Sequence, residues 1–233
     1  MFAKRKFLSV ALFAFCLTAL RAQEEVQDVQ LWTGVQISKD LPKRFSIGAQ
    51  YQLRLDNDVS QVKGSYFSAN IGYTILKKYL SVELEYRYVA SPDKDRHRFG
   101  IDLIGKYKWK KVAFTNRLSY QREHEYFNSR YERGHEPTNY IRNRFKVRYD
   151  LPKRFEVYAS IEPFVKISNK FRNVDRVRTV AGAGWEFVKN HHFDLFYLYQ
   201  IDVNVRRPKM GHGIGLMYGW DIPRFKKKKA KKS

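Results

Sequence analysis

The chain has 233 residues, of which 45 are lysine or arginine and 23 are aspartate or glutamate, so its formal net charge is +22. The single cysteine, Cys16, excludes an intramolecular disulfide and any metal site built from several thiolates. Aromatic residues make up 16% of the chain while the mean hydropathy is −0.58, which fits either a basic soluble protein or a β-barrel with alternating polar and apolar residues.

The N-terminal segment is typical of a secretory signal peptide. Three basic residues at positions 4–6 precede an uncharged apolar stretch at residues 7–20. This stretch is shorter than the ~20 residues of a membrane-spanning helix. We therefore predict export of the protein, with residues 1–22 removed by cleavage between Ala22 and Gln23.

Apolar and polar residues alternate almost continuously after residue 29. Between residues 45 and 55, Ile47 and Leu53 belong to an apolar face, while Gln52 and Arg54 belong to the opposite, polar face. Eleven segments show this pattern, and their lengths are close to the ~9–11 residues with which a tilted strand crosses a bilayer. The predicted strands are residues 29–38, 45–55, 67–75, 80–88, 99–107, 112–122, 140–149, 155–166, 176–187, 193–204 and 213–222.

The connections between these strands are expected to alternate in length. The short ones are residues 39–44, 77–79, 108–111, 150–154 and 188–192, and the longer ones are residues 56–64, 91–97, 123–139, 167–175 and 205–212. Tight periplasmic turns and longer outer loops are typical of an up-and-down barrel in the outer membrane of a Gram-negative envelope.

We therefore predict an all-β fold, an up-and-down antiparallel transmembrane β-barrel at residues 23–222, with a basic C-terminal tail at residues 223–233. Because single-chain bacterial barrels have even strand numbers, the prediction is about 12 strands, with 10 as the alternative. Aromatic residues near strand ends predict girdles at the membrane surfaces. These residues are Trp32, Tyr66, Tyr79, Tyr88, Tyr107, Trp109, Tyr120, Tyr140, Tyr149, Trp185, Tyr218 and Trp220.

Charged residues on the polar faces predict a charge cluster in the lumen. Its members are Arg142, Arg144, Lys146, Arg148, Arg117, Glu156, Glu162, Glu83, Glu85 and Arg87. Two interpretations remain open. The charges pair and fill the lumen as a salt-bridge plug, or they line a narrow pore or binding slot that favours anions.

The sequence offers no nucleophile beside a general base. No histidine stands in a pattern with a nucleophilic serine, and the adjacent His191 and His192 are expected to diverge in an extended segment. We predict a barrel that is not an enzyme and that has no cofactor and no metal. The alternatives are an outer-membrane enzyme that modifies lipids and a secreted basic β-protein that binds anionic polymers.

Basic residues in the longer connections suggest contact with lipopolysaccharide phosphates, since arginine pairs well with phosphate. They are Arg96, Arg98, Arg122, Arg130, Arg133, Lys170, Arg172, Arg206, Arg207 and Lys209. The tail at residues 224–232 is expected to touch anionic lipid or peptidoglycan. Nucleic acid is not an expected partner behind a signal peptide, and membrane lipid is.

Four short motifs carry a resemblance to a known family. They are Leu31-Trp32-Thr33-Gly34, Gln52-Leu53-Arg54, Tyr86-Arg87-Tyr88 and Asn143-Arg144-Phe145. With these motifs the chain resembles an uncharacterised, domain-of-unknown-function family of Gram-negative outer-membrane β-barrel proteins. The resemblance covers most of the mature chain. It implies a barrel in the outer membrane and brings no established reaction.

Overall fold

Alternating residues form β-strands throughout the part of the chain that the structure describes, which is residues 26–125, 137–167, 172–205 and 208–223 of a computed structural model. Within these ranges eleven strands close into one barrel, in which neighbours in sequence are neighbours in the sheet. They are β1 (Val26–Asp40), β2 (Phe45–Asp56), β3 (Gln61–Leu76), β4 (Leu80–Ala90), β5 (Arg96–Trp109), β6 (Val112–His124), β7 (Thr138–Asp150), β8 (Phe155–Ile167), β9 (Arg172–Val188), β10 (His191–Asp202) and β11 (Lys209–Ile222). The predicted all-β, up-and-down barrel is confirmed. Among the described residues no helix is long and apolar enough to cross a membrane.

The described strands number eleven, one fewer than the twelve that the parity argument favoured. Each hairpin reverses the chain, so an odd number of strands brings the first and the last together in parallel. Strand β1 accordingly pairs with β11 in parallel, from Val26 opposite Lys209 to Lys39 opposite Ile222. The even-number expectation assumed an antiparallel closing pair, but a parallel ladder also satisfies the backbone groups of both strands.

The connections define two ends of the barrel. At the turn end the strands are joined by residues 41–44, 77–79, 110–111, 151–154 and 189–190, and at the loop end by residues 57–60, 91–95, 125–137, 168–171 and 203–208. The predicted longer connection at residues 56–64 is wrong. There Asn57, Asp58 and Val59 adopt left-handed conformations with φ of 52°, 55° and 66°, and they form a tight turn that lets β2 and β3 extend towards it.

Two turns at the turn end share the sequence Leu-Pro-Lys-Arg-Phe and the same geometry. In one, the backbone N–H of Leu41 donates to the Phe45 carbonyl at 2.8 Å, and in the other Leu151 donates to Phe155 at 2.8 Å. A short 3-10 turn, Pro42–Arg44 or Pro152–Arg154, lies between the two bonded residues. Proline fixes the backbone at the start of each turn.

The two faces of the strands meet different surroundings. On the outward face, large apolar side chains such as Leu84 (53% exposed) and Leu195 (56% exposed) form an apolar belt around the barrel. On the inward face, polar side chains such as Arg142 (6%) and Glu162 (3%) are buried. An exposed apolar surface of this extent is stable only when something other than water covers it.

Outward-facing aromatic side chains gather near the turn end. The rings of Phe155 and Trp185 stack at 5.4 Å, and Trp220 stacks on His191 at 5.7 Å. Three predicted girdle residues face the lumen instead, namely Trp32, Tyr66 and Tyr140. Tyr140 does lie near the start of β7, but the predicted nearness to a strand end is wrong for Trp32, in the middle of β1, and for Tyr66, well inside β3. The position of all three on the polar face of the alternation directs them inward.

Candidate functional site

The barrel encloses a cavity of about 1160 Å³ that extends between its two ends. Its wall includes Gln30 and Glu123 on the loop side and Asp150 and Asp221 at the turn end. All ten residues of the predicted lumen cluster line this cavity. Side chains from every strand point inward, yet they do not fill the space between them.

Buried ion pairs hold one part of the wall. Arg142 donates from Nη2 to Glu162 Oε1 at 2.7 Å. The Arg117 guanidinium lies 3.9 Å from the same carboxylate and 3.4 Å from Asp102. Burying a charge is tolerated when an opposite charge accompanies it, so these four side chains depend on one another.

A second group of charges lies on β4 and β5. Glu85 accepts from Arg87 at 3.2 Å and from Arg98 at 3.0 Å, so one carboxylate serves two guanidiniums. Arg87 also donates from Nε to the Ser68 hydroxyl at 2.7 Å. The positive charges of this group therefore exceed its negative charges.

The turn half of the lumen is more evenly balanced. Arg148 lies 3.2 Å from Asp150 and 3.3 Å from Glu156. The Tyr158 hydroxyl bonds to both carboxylate oxygens of Asp194, at 2.9 and 2.8 Å. Lys146 lies 3.5 Å above the ring of the same tyrosine, which offers its negative face to the ammonium group.

Arginine and aromatic side chains alternate along another part of the wall. We call this group the arginine–aromatic stack, and it comprises Tyr66, Arg54, Trp32, Arg178, Phe164 and Arg142. The Arg54 guanidinium lies between two rings, 3.7 Å from the centroid of Trp32 and 4.0 Å from that of Tyr66. A guanidinium held over ring faces in this way is fixed in position, while its N–H groups remain able to form hydrogen bonds.

The stack continues on β9 and β8. Arg178 lies 5.1 Å from the Trp32 ring and 5.0 Å from the Phe164 ring. The Arg142 guanidinium lies over the same Phe164 ring, 4.4 Å from its centroid. The stack therefore follows the inner wall from β3 to β7 across the seam, the parallel pair of β1 and β11 that closes the barrel. The sequence alone did not predict these contacts.

Glycines on β11 make this path possible. Strands β10 and β11 lie between Arg178 on β9 and Trp32 on β1. On β11 the inward residue opposite Phe196 is Gly215, where an added Cβ would overlap the Phe196 ring. The Phe196 ring fills that space and meets Trp32 edge to face at 6.3 Å.

Several arginines of the lumen have no acidic partner among the described residues. Arg54 donates from Nε to Gln52 at 2.7 Å, and Arg178 donates twice to Gln200, at 3.1 and 2.7 Å. Arg144 forms neither an ion pair nor a hydrogen bond with any residue in the described ranges. Thirteen basic side chains line the cavity against ten acidic ones, so the lumen carries an excess of positive charge.

The histidines lie on both sides of the wall. His191 faces outward, and its Nδ1 lies 2.6 Å from the Tyr218 hydroxyl, whereas His192 faces inward, 3.3 Å from Gln36 and 4.0 Å from Asp221. The predicted divergence of the two histidines is thus observed. Ser38 donates to Asp221 and not to His192. In the described part of the chain, no three His, Cys, Asp or Glu side chains are grouped to hold a metal ion.

The basic residues predicted in the outer loops fall into several groups. Arg96 and Arg98 line the lumen, where they pair with Glu123 at 3.5 Å and with Glu85. Arg122 and Lys209 are exposed. Arg172 is the first residue of β9 and not part of a connection. The predictions for Arg130, Arg133, Lys170, Arg206, Arg207, the tail from residue 224, and the cleavage site at Ala22 and Gln23 lie outside the described residues.

Residues 29–210 match a family that is described as "Protein of unknown function (DUF2490)". No curated protein matches the chain. Among solved structures, a bacterial polysaccharide outer membrane secretin is similar at 11% identity and a TM-score of 0.48, over 73% of this chain and 62% of the other.

Two further structures show weaker similarity. They are OccK8 (OprE) of Pseudomonas aeruginosa, at 11% identity and a TM-score of 0.37 over 72% of this chain and 57% of that one, and an anion-selective porin from Comamonas acidovorans, at 11% identity and a TM-score of 0.38 over 76% and 52%. This chain spans less than two thirds of the length of each of these three proteins.

Proposed function

The chain belongs to the DUF2490 family of proteins of unknown function, and we propose that it is an outer-membrane barrel whose charged lumen forms a narrow pore biased towards anions. One observation carries the proposal. The open cavity between the two ends is lined by more guanidinium and ammonium groups than carboxylates, inside a barrel with an apolar exterior.

The apolar belt supports the membrane placement. A bilayer core offers no hydrogen bonds, so strands can cross it only in a closed barrel without free edges. Strand β1 pairs with both β2 and β11, which closes the sheet completely. The short turns then face the periplasm, the loop end faces outward, and membrane lipid is the partner that covers the belt.

The excess of luminal arginine supports the anion bias. Fixed positive charges act more strongly inside a low-dielectric wall than in bulk water, and rings of arginine and lysine attract anions. Arg144 is the clearest example, because it lines the cavity and no carboxylate of the described residues pairs with it. Glu162 and Asp102 attract its guanidinium without a direct ion pair, so its N–H groups remain able to meet a passing ion.

Conductance in planar bilayers tests this proposal. With the full mature chain between unequal KCl solutions, we expect a reversal potential of the sign that chloride permeation produces. Arg144→Glu should shift this potential towards cations, and Arg122→Glu, an exposed arginine on the outer face, should leave it unchanged. A folded barrel that does not conduct would contradict the pore, and cation selectivity of the wild type would contradict the bias.

We also propose that the barrel works without catalysis. Two outward-facing histidines are engaged by tyrosines, since His97 Nδ1 lies 2.8 Å from the Tyr86 hydroxyl and His191 bonds to Tyr218. Incubation of the purified barrel with phospholipid and lipopolysaccharide should leave both unchanged in mass spectra. Release or transfer of an acyl chain would instead support the lipid-modifying alternative.

A further inference from the structure

We propose that the arginine–aromatic stack is a binding site for a small phosphate-bearing anion, either inorganic phosphate or a small phosphate ester. The inference deepens the proposed pore, because it names the class of solute that the lumen selects. The site centres on Arg54 and Arg178, which lie on either side of Trp32.

The first argument is the concentration of like charge. Arg54 lies close enough to Arg98 and Arg142 to be repelled by both. Arg178 is repelled by Arg142 and Arg54 and is attracted by Glu162, the carboxylate that already pairs with Arg142. Glu162 and Glu85 already serve two guanidiniums each. A bound anion would supply the negative charge that this part of the wall lacks.

The second argument is preorganisation. The Arg54 guanidinium is held between two rings, and Arg178 is anchored by two hydrogen bonds to Gln200. Neutral glutamine oxygens orient these cations without cancelling their charge. Groups that are held in place before a ligand arrives lose little conformational freedom when they bind it.

The third argument is the geometry of the ligand. Arg54 comes from β2 and Arg178 from β9, so their guanidiniums approach the lumen from different sides of Trp32. A planar carboxylate is satisfied by a single guanidinium fork. A tetrahedral phosphate directs oxygens in several directions and carries more charge, so it can accept from both arginines at once.

Titration calorimetry on the full mature chain in micelles of an uncharged detergent tests the site without requiring conductance. Inorganic phosphate and glycerol 3-phosphate are titrated at constant ionic strength, with acetate as the carboxylate comparison. We expect both phosphates to bind and acetate to bind much more weakly. Binding of inorganic phosphate alone would assign the free ion as the ligand, and tighter binding of glycerol 3-phosphate would assign the ester.

Variants locate the site within the barrel. Arg178→Gln should weaken phosphate binding about ten- to hundredfold, the loss that follows from one charged hydrogen-bonding partner. Arg178→Lys keeps the charge, but its single ammonium group cannot make both hydrogen bonds to Gln200 and still present further N–H groups in a fixed plane to the anion. It should therefore also bind more weakly than the wild type. Arg122→Gln on the outer face should bind as the wild type does.

Heat-modifiable migration in gels establishes that each variant is folded before it is titrated. A folded wild type without phosphate binding would overturn the site, and so would wild-type affinity in both Arg178 variants. Equal affinity for acetate and phosphate would overturn the phosphate assignment. An anion-selective pore that binds no phosphate contradicts only this inference, whereas phosphate binding by a barrel that does not conduct contradicts only the pore.

Discussion

Glu162 on β8 is 3% exposed and serves two cations, Arg142 at 2.7 Å and Arg117 at 3.9 Å. Removing a carboxylate from water is unfavourable by itself, and so is burying the guanidiniums that face it. With Asp102, which lies 3.4 Å from Arg117, the two carboxylates and two guanidiniums are stable together because each charge is offset by an opposite one. Loss of any one of them leaves an uncompensated charge inside the wall.

Glu162→Gln should therefore destabilise the barrel strongly. We expect the free energy of unfolding to fall by about 3–5 kcal/mol, the usual effect of breaking a buried pair. Urea unfolding in micelles measures the change. The matched control is Glu123→Gln near the loop end, whose carboxylate is 26% exposed and lies 3.5 Å from Arg96. It should cost less than about 1 kcal/mol, and equal losses would contradict the burial argument.

At the scale of elements, the strands could be predicted from the sequence because each separates an apolar exterior from a polar lumen. Two surroundings impose a period of two, and all eleven predicted segments overlap strands of the structure. The tight turn at residues 57–60 was missed, because Asp58 and Val59 adopt left-handed conformations that residues with side chains seldom take. The local sequence therefore predicted a longer loop.

The arginine–aromatic stack was missed for another reason. Trp32 and Tyr66 were assigned to the girdle by their nearness to strand ends, although their place in the alternation directs them inward. The contact between Arg178 and Trp32 joins β9 to β1 across two strands. It depends on barrel closure and on the register at the seam, neither of which local periodicity contains.

The glycine row of β11 yields a prediction at this scale. Gly215→Val should destabilise the barrel by about 1–3 kcal/mol, because the new side chain competes with Phe196 for the same space. Gly105→Val on β5 is the control, since the nearest atom to its Cβ would be the Asn116 carbonyl oxygen at 3.9 Å. Thermal unfolding compares the two. A stable Gly215→Val variant would mean that Phe196 does not occupy this position.

At the scale of the whole molecule, the parallel seam distinguishes this barrel from one with an even strand number. Val35 on β1 lies opposite Tyr218 on β11. Val35 is exposed on the outward face, and the half-buried Tyr218 packs there against the exposed Phe193. A Val35→Cys, Tyr218→Cys double variant in a Cys16→Ser background should form an intramolecular disulfide on mild oxidation. Neighbouring strands bring the Cα atoms within the roughly 4.4–6.8 Å that the bond requires.

The control pair is Val35→Cys with Leu195→Cys. Leu195 is also exposed but lies on β10, one strand further from β1, so this pair should remain reduced. Gel mobility with and without reductant separates the two results. An additional strand between β1 and β11 would prevent the first disulfide, and that result would contradict the eleven-strand closure.

The seam also determines the order in which the molecule can assemble. It joins residues as far apart in sequence as Val26 and Lys209, whereas the other strand pairs lie between neighbours in the chain. Contacts between distant residues form late, because a long segment must first lose its freedom. Until the seam forms, β1 and β11 are two open edges able to pair with strands of other molecules. A cell that makes this barrel must therefore keep the unclosed sheet apart from its copies until the final strand has paired with the first.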